Sequence, residues 1–151
     1  GVEQERQGLI HRGAKFAFAG VEATVPKVAL IVRKAYGGAY AVMGSKNLAG
    51  DLNLAWPTAQ IAVMGAAAAA VMLQGKQLAA IEDPAQREAM KKMFMDFYDE
   101  NMTSPYVAAE RGYIDSMIEP AETRIALRRA LRQLSTKHEL DLPKKHTISP
   151  L

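Results

Sequence analysis

The sequence predicts an α/β fold, and three observations predict it. Two short apolar runs, residues 28–33 (Val-Ala-Leu-Ile-Val-Arg) and 60–64 (Gln-Ile-Ala-Val-Met), have the composition of strands buried on both faces. Each passes through glycine into a segment that favours helix. Three proline pairs, Asp83-Pro84, Ser104-Pro105 and Glu119-Pro120, mark further helix starts.

Taken in order, residues 4–23 read as one helix, with Leu9, Phe16 and Ala23 near one face and small residues beside them. It stops before Thr24-Val25-Pro26, because the residue before a proline avoids the α region. The first strand, 28–33, is followed by a turn at Ala35-Tyr36-Gly37-Gly38 and a helix over 39–45. The second strand, 60–64, is broken by Gly65, and the alanine run that follows is strongly helix-favouring. Asp83 caps a long helix to about residue 101. Ser104 caps another, which ends near Arg111-Gly112. Residues 114–118 suit a short strand, and a last helix runs from Glu119-Pro120 to about residue 134. The tail, 137–151, has two prolines and little periodicity, so it is expected to lie along a partner or another part of the chain.

Composition excludes several chemistries. The chain has 151 residues, about one domain, and 49% are apolar. Without cysteine there is no disulfide, thiolate zinc site or cysteine nucleophile. The longest apolar run, 61–73, is shorter than the ~18–20 residues a membrane span needs, so no membrane association is expected. From Arg124 onward there are seven Lys and Arg against two acids, while the remainder holds twelve against fourteen. The positive charge is therefore a C-terminal feature. The start, Gly1-Val-Glu-Gln-Glu5, lacks an initiator Met and a leader pattern, as expected of a cut into a longer chain.

Familiar motifs fail one by one. Neither Gly44-Ser45-Lys46 nor Gly75-Lys76 completes a Walker A loop, and GxGxxG is absent. His11, His138 and His146 do not have metal-ligand spacing. Met90-Lys91 falls inside a helix pattern, not on the tight hairpin that would carry covalent biotin. The stripe Arg124, Arg128, Arg132 reads as a solvated helix face opposite Leu127, Leu131 and Leu134. No aromatics interleave with it, so no nucleic-acid partner is expected.

One segment survives: Arg33-Lys-Ala-Tyr-Gly-Gly-Ala-Tyr40. A glycine pair between strand and helix admits backbone angles closed to other residues. The turn exposes unpaired N–H groups at the positive end of a helix dipole. Two such groups converging would make an oxyanion hole. A tight turn without chemistry has the same spacing.

The chain resembles the C-terminal half of the carboxyltransferase β subunit of biotin-dependent acyl-CoA carboxylases. The likeness is carried by His11-Arg-Gly-Ala-Lys15, Glu22-Ala-Thr-Val-Pro-Lys27, Arg33-Lys-Ala-Tyr-Gly-Gly-Ala-Tyr40 and Ala55-Trp-Pro-Thr-Ala59. It continues through Ile61-Ala-Val-Met-Gly-Ala66, Ala108-Ala-Glu-Arg-Gly-Tyr-Ile-Asp115 and Ile118-Glu-Pro. These motifs run in order along nearly the whole chain. The resemblance implies a crotonase-like (ClpP/crotonase) superhelix of ββα units, with residues 1–151 as one carboxyltransferase C-terminal domain. It implies carboxyl transfer from carboxybiotin, borne on a separate carrier, to the α-carbon of an acyl-CoA. Two oxyanion holes hold the two enolates. The backbone N–H groups of Gly38 and Ala39 match the hole facing the biotin ureido oxygen, and Gly37, Tyr40 and Ala41 match substrate-binding positions. No metal is implied. The partners implied are a biotin carboxyl carrier or biotin carboxylase α subunit and further copies in a hexamer. The location implied is the cytoplasm, or the mitochondrial matrix in a eukaryote.

Three departures qualify the likeness. The N-terminal half, with most acyl-CoA contacts and the other hole, is missing, so this chain alone is expected not to turn over. Position 41 is Ala where propionyl-type members carry Asp, which suggests another or longer acyl chain. The run Gly65-Ala-Ala-Ala-Ala-Ala-Val71 replaces a more varied stretch. Alternatives are a biotin-dependent decarboxylase subunit, another crotonase-fold enzyme using Glu22 or Asp51 as a carboxylate, or a non-enzymatic assembly domain.

Overall fold

The computed structural model describes residues 2–138. Its framework is two ββα units in succession. In the first, β1 (Val28–Ile31) is followed by β2 (Lys34–Tyr36) and α3 (Gly37–Val42). In the second, β3 (Leu52–Ala55) is followed by β4 (Gln60–Ala62) and α4 (Ala66–Ala79). The units stack by parallel pairing, with β1 beside β3 (Val28 opposite Leu52) and β2 beside β4 (Tyr36 opposite Ala62). A short strand β5 (Ser116–Met117) extends the first sheet on the free side of β3. Each unit thus gives its first strand to one sheet and its second strand to another.

This arrangement corrects the single strand expected over 28–33. The apolar run continues through Val32, but the chain bends at Val32 and Arg33 and crosses between sheets. The bend is held on both sides: the Trp56 amide donates to the Ile31 carbonyl (2.9 Å) and the Gln60 amide to the Arg33 carbonyl (2.6 Å). Ala35 and Tyr36 accordingly belong to β2 and not to a turn. Nor is β1 buried on both faces, since only Ile31 of its four residues is buried. The most buried strand is β3, where Asn53, Leu54 and Ala55 are all inside, and no sequence pattern announced it.

The single helix expected over 4–23 is two helices, α1 (Val2–Arg6) and α2 (Leu9–Glu22). Gly8 divides them by adopting a left-handed conformation (φ 85°), which costs glycine little. Downstream the proline pairs hold. Asp83 caps α5 (Pro84–Asn101), its carboxylate accepting from the Ala85 amide (2.9 Å). Ser104 caps α6 (Pro105–Glu110) through the Tyr106 amide. After Glu119-Pro120 the chain makes one 3-10 turn before α7 (Thr123–Gln133). The tail from residue 139 on, including His146, lies outside the described residues.

The principal core joins both sheets to α6. Ile31, Ala35, Ala55 and Ile61 pack with Ala108 and Ile114, and Tyr40 closes one side. Many other apolar side chains face outward. No residue of α2 is buried, and Ile10 and Phe16 are 67% and 56% exposed.

Candidate functional site

The two strand-to-helix transitions lie side by side because β2 and β4 are paired in register. Tyr36 stands opposite Ala62, so Gly37 and Val63 follow as neighbours. Gly37 has φ 55°, and a Cβ on it would lie 2.8 Å from the Val63 carbonyl oxygen. Both facts require glycine. Gly38 is different: its φ is ordinary and nothing lies within 4 Å of where a Cβ would stand. The glycine pair therefore divides its work, with Gly37 making the turn and Gly38 leaving space open.

That space belongs to a cavity of about 600 Å3. Gly37, Gly38, Tyr40 and Ala41 form its α3 wall, and Ile61 to Val63 its floor along β4. Further lining comes from Tyr98 of α5 and Met102 just beyond it, from α6 (Val107, Ala108) and from Arg111 and Tyr113. The volume suits a small organic ligand. Ala39 is exposed on α3 and is not itself part of the lining.

Hydrogen bonds fix the walls. The Tyr98 hydroxyl donates to the Met64 carbonyl (3.3 Å), pinning α5 to the loop before α4. The Tyr36 hydroxyl donates to Gln60 Oε1 (2.8 Å), tying β2 to β4. The Tyr40 hydroxyl donates to the Tyr113 carbonyl (3.3 Å). Burial, and then the nearby Asp115 carboxylate, push the Tyr40 phenol above its ordinary pKa. It is therefore a neutral donor at physiological pH.

The α3 amides have few internal partners. Gly38 and Ala39 are the second and third residues of α3, where no earlier helical carbonyl is available. Tyr36 at the cap supplies no side-chain hydrogen bond. Among the described residues, neither amide donates to a carbonyl outside the helices and strands.

Among the described residues, no carboxylate, histidine or lysine lines the cavity. Glu22 and Asp51 are both elsewhere. Asp51 holds structure together: its carboxylate accepts from the Lys27 amide (2.7 Å) and from Lys137 Nζ (2.8 and 2.9 Å). Among the described residues, no group of three His, Cys, Asp or Glu could hold a metal, and no helix is long and apolar enough to cross a membrane. The sequence pointed to one wall of the cavity through its glycines. It gave no sign of Tyr98, Met102 or Arg111, because more than fifty residues of chain separate them from α3.

Comparison with known proteins gives the family and the fold. Residues 1–148 match the family described as the carboxyl transferase domain. Over its whole length the chain is 55% identical to the propionyl-CoA carboxylase beta chain of Saccharopolyspora erythraea, covering 28% of that protein. It is 49% identical, again over its whole length, to the biotin-dependent long chain acyl-coenzyme A carboxylase beta4 subunit of Mycobacterium tuberculosis, covering 29%. A crystal structure of transcarboxylase 12S, described as a hexamer assembly with methylmalonyl-coenzyme A and methylmalonic acid bound, superposes on the entire chain. Its TM-score is 0.88 at 44% identity, and the chain covers 28% of it. The chain thus spans less than a third of the length of these relatives.

Proposed function

The chain belongs to the carboxyl transferase domain family, and from that premise we propose that it forms the biotin-side part of the carboxyltransferase of an acyl-CoA carboxylase. Its fold is the crotonase-like α/β arrangement of ββα units. The reaction is transfer of a carboxyl group from carboxybiotin to the α-carbon of an acyl-CoA. The biotin arrives on a carrier belonging to an α-type partner subunit. The rest of the β subunit supplies the acyl-CoA side, and further copies complete a hexamer.

One observation carries this reading. A cavity of ligand size opens where β2 turns into α3, beside first-turn backbone amides that have no acceptor within their own helix, and among the described residues no carboxylate, histidine or lysine lines it. Such a site stabilises a developing oxyanion and leaves proton transfer to the ligand. The open position beside Gly38, which any Cβ would fill, fits a flat ureido ring approaching the backbone.

When bound, the biotin ureido group supplies the base that takes the substrate α-proton. This chain's residues then have three tasks. Gly37 sets the turn that aims the amides. Gly38 and Ala39 donate N–H groups to the ureido oxygen as negative charge gathers there, one such donor being worth roughly 3–4 kcal/mol of barrier. Tyr40 and Ala41, on the wall of the same cavity, would face its acyl end. Most of the rate then comes from position and charge stabilisation.

The test is Ala39→Pro in the full-length subunit. Proline is tolerated in the first turn of a helix but has no N–H to donate. Transcarboxylation should fall by about two to three orders of magnitude with the fold retained. Unchanged turnover in a folded variant would remove Ala39 from the mechanism.

A further inference from the structure

We propose that Arg111 holds the carboxylate of the loaded donor, so that the cavity prefers the carboxylated urea to the spent one. This rests on reading the cavity as the biotin-side pocket. Arg111 is the C-cap residue of α6; it lines the cavity and is itself exposed to solvent. It is the only charged side chain among the lining residues. Among the described residues, no carboxylate forms an ion pair with it. The lining near it is apolar or phenolic, with Val107, Ala108, Tyr98 and Tyr113.

A guanidinium stays charged at any working pH and presents a planar fork matched to a carboxylate. An unpaired cation on the wall of a largely apolar cavity favours an anionic ligand. The bare bicyclic urea of biotin is neutral and makes no use of that charge. Its N-carboxylated form carries one carboxylate on the ring, to which the fork can donate two parallel hydrogen bonds. Departure of neutral CO2 would leave the negative charge on the ureido ring until the substrate α-proton neutralises it; the neutral ring would then make no use of the cation and be held less tightly. The single cation therefore biases the site toward loading before transfer and release after it.

Binding can be read without turnover. Two small cyclic ureas, 1-(carboxymethyl)-2-imidazolidinone and 1-methyl-2-imidazolidinone, differ in charge and little else. Each is titrated calorimetrically into the full-length subunit as wild type, Arg111→Gln and Arg111→Lys, with melting temperatures recorded in parallel. The wild type should bind the anionic urea more tightly. Arg111→Gln should lose that preference by about tenfold, the scale of one charge-assisted hydrogen bond, while binding the neutral urea as before. Arg111→Lys should recover part of it. In turnover, the KM for the carboxylated carrier should rise and the KM for acyl-CoA should not. If the wild type binds both ureas equally, or Arg111→Gln keeps the preference, the inference is overturned and the oxyanion-hole reading stands. If the wild type binds neither urea, both are overturned.

Discussion

Gly37 sits against the backbone carbonyl of Val63, so close that a Cβ on it would lie 2.8 Å from the oxygen. The two residues are the first beyond the paired ends of β2 and β4. The contact therefore locks the start of one ββα unit's helix to the equivalent point in the next. Because Val63 contributes a main-chain atom, it cannot be relieved by a side-chain rotation.

Gly37→Ala should therefore destabilise the subunit by at least about 1–2 kcal/mol, from left-handed strain alone, with the clash adding to it. Gly38→Ala should leave stability within about 0.5 kcal/mol, because its backbone is ordinary and its Cβ would meet nothing. The same methyl group occupies space in the cavity, so carboxyl transfer should fall. Chemical denaturation together with steady-state kinetics separates the two effects. A Gly38→Ala variant that unfolds easily yet transfers normally when folded would reverse the assignment.

These glycines were legible in the sequence because a turn chemistry is local. The caps at Asp83 and Ser104 were legible for the same reason, each side chain reaching an amide two residues on. What the sequence hid depends on distant partners. Leu52–Ala55 is short and holds a polar Asn53, yet it becomes the central strand, because β1 and β5 flank it and Asp115 accepts from the Asn53 amide (2.8 Å). The bend at Val32 and Arg33 is likewise set by amides of Trp56 and Gln60. Six of the fifteen lining residues come from residues 98–113, which no spacing near Gly37 could reveal.

Ala41 lines the cavity as a small, half-buried apolar residue. A wall of this kind accepts hydrocarbon, each methylene being worth about 1–3 kcal/mol in a fitted pocket. The full-length enzyme should carboxylate acyl-CoAs longer than propionyl-CoA. Ala41→Asp should lower kcat/KM for the longer chains by about tenfold or more relative to propionyl-CoA, because an apolar chain cannot pair with a carboxylate. Competition assays across acetyl-, propionyl- and longer acyl-CoAs measure this ratio. A strict propionyl preference in the wild type refutes it.

The outer face of α2 predicts association. Ile10 and Phe16 are more than half exposed in a helix with no buried residue, and a surface of this kind is costly to leave in water. The isolated 151-residue chain should therefore not run as a single monomeric species in size-exclusion chromatography with light scattering. A well-behaved monomer at tens of micromolar would show that the face tolerates solvent.

Acid should act through Asp51. Burial raises its pKa, but the Lys137 ammonium and the Lys27 amide more than offset that and hold the carboxyl below its ordinary value of 3.8. The folded state thus favours the ionised form. The resulting stability is complete above the ordinary carboxylate range and is lost as pH falls from about 4 through the lowered folded value. Asp115 adds to the same window: burial raises it, while the Asn53 amide and Lys46 lower it further. The Asp51–Lys137 pair is largely buried, with side chains 18% and 9% exposed, so removing one partner leaves a charge without its counterpart. Lys137→Met should cost about 3 kcal/mol at neutral pH. Asp51→Asn should also destabilise at pH 7, while flattening the decline between pH 5 and 3. Denaturation series at pH 7, 5, 4 and 3 on the full-length subunit test both variants. An acid profile in Asp51→Asn identical to that of the wild type would assign the pH dependence to other carboxylates.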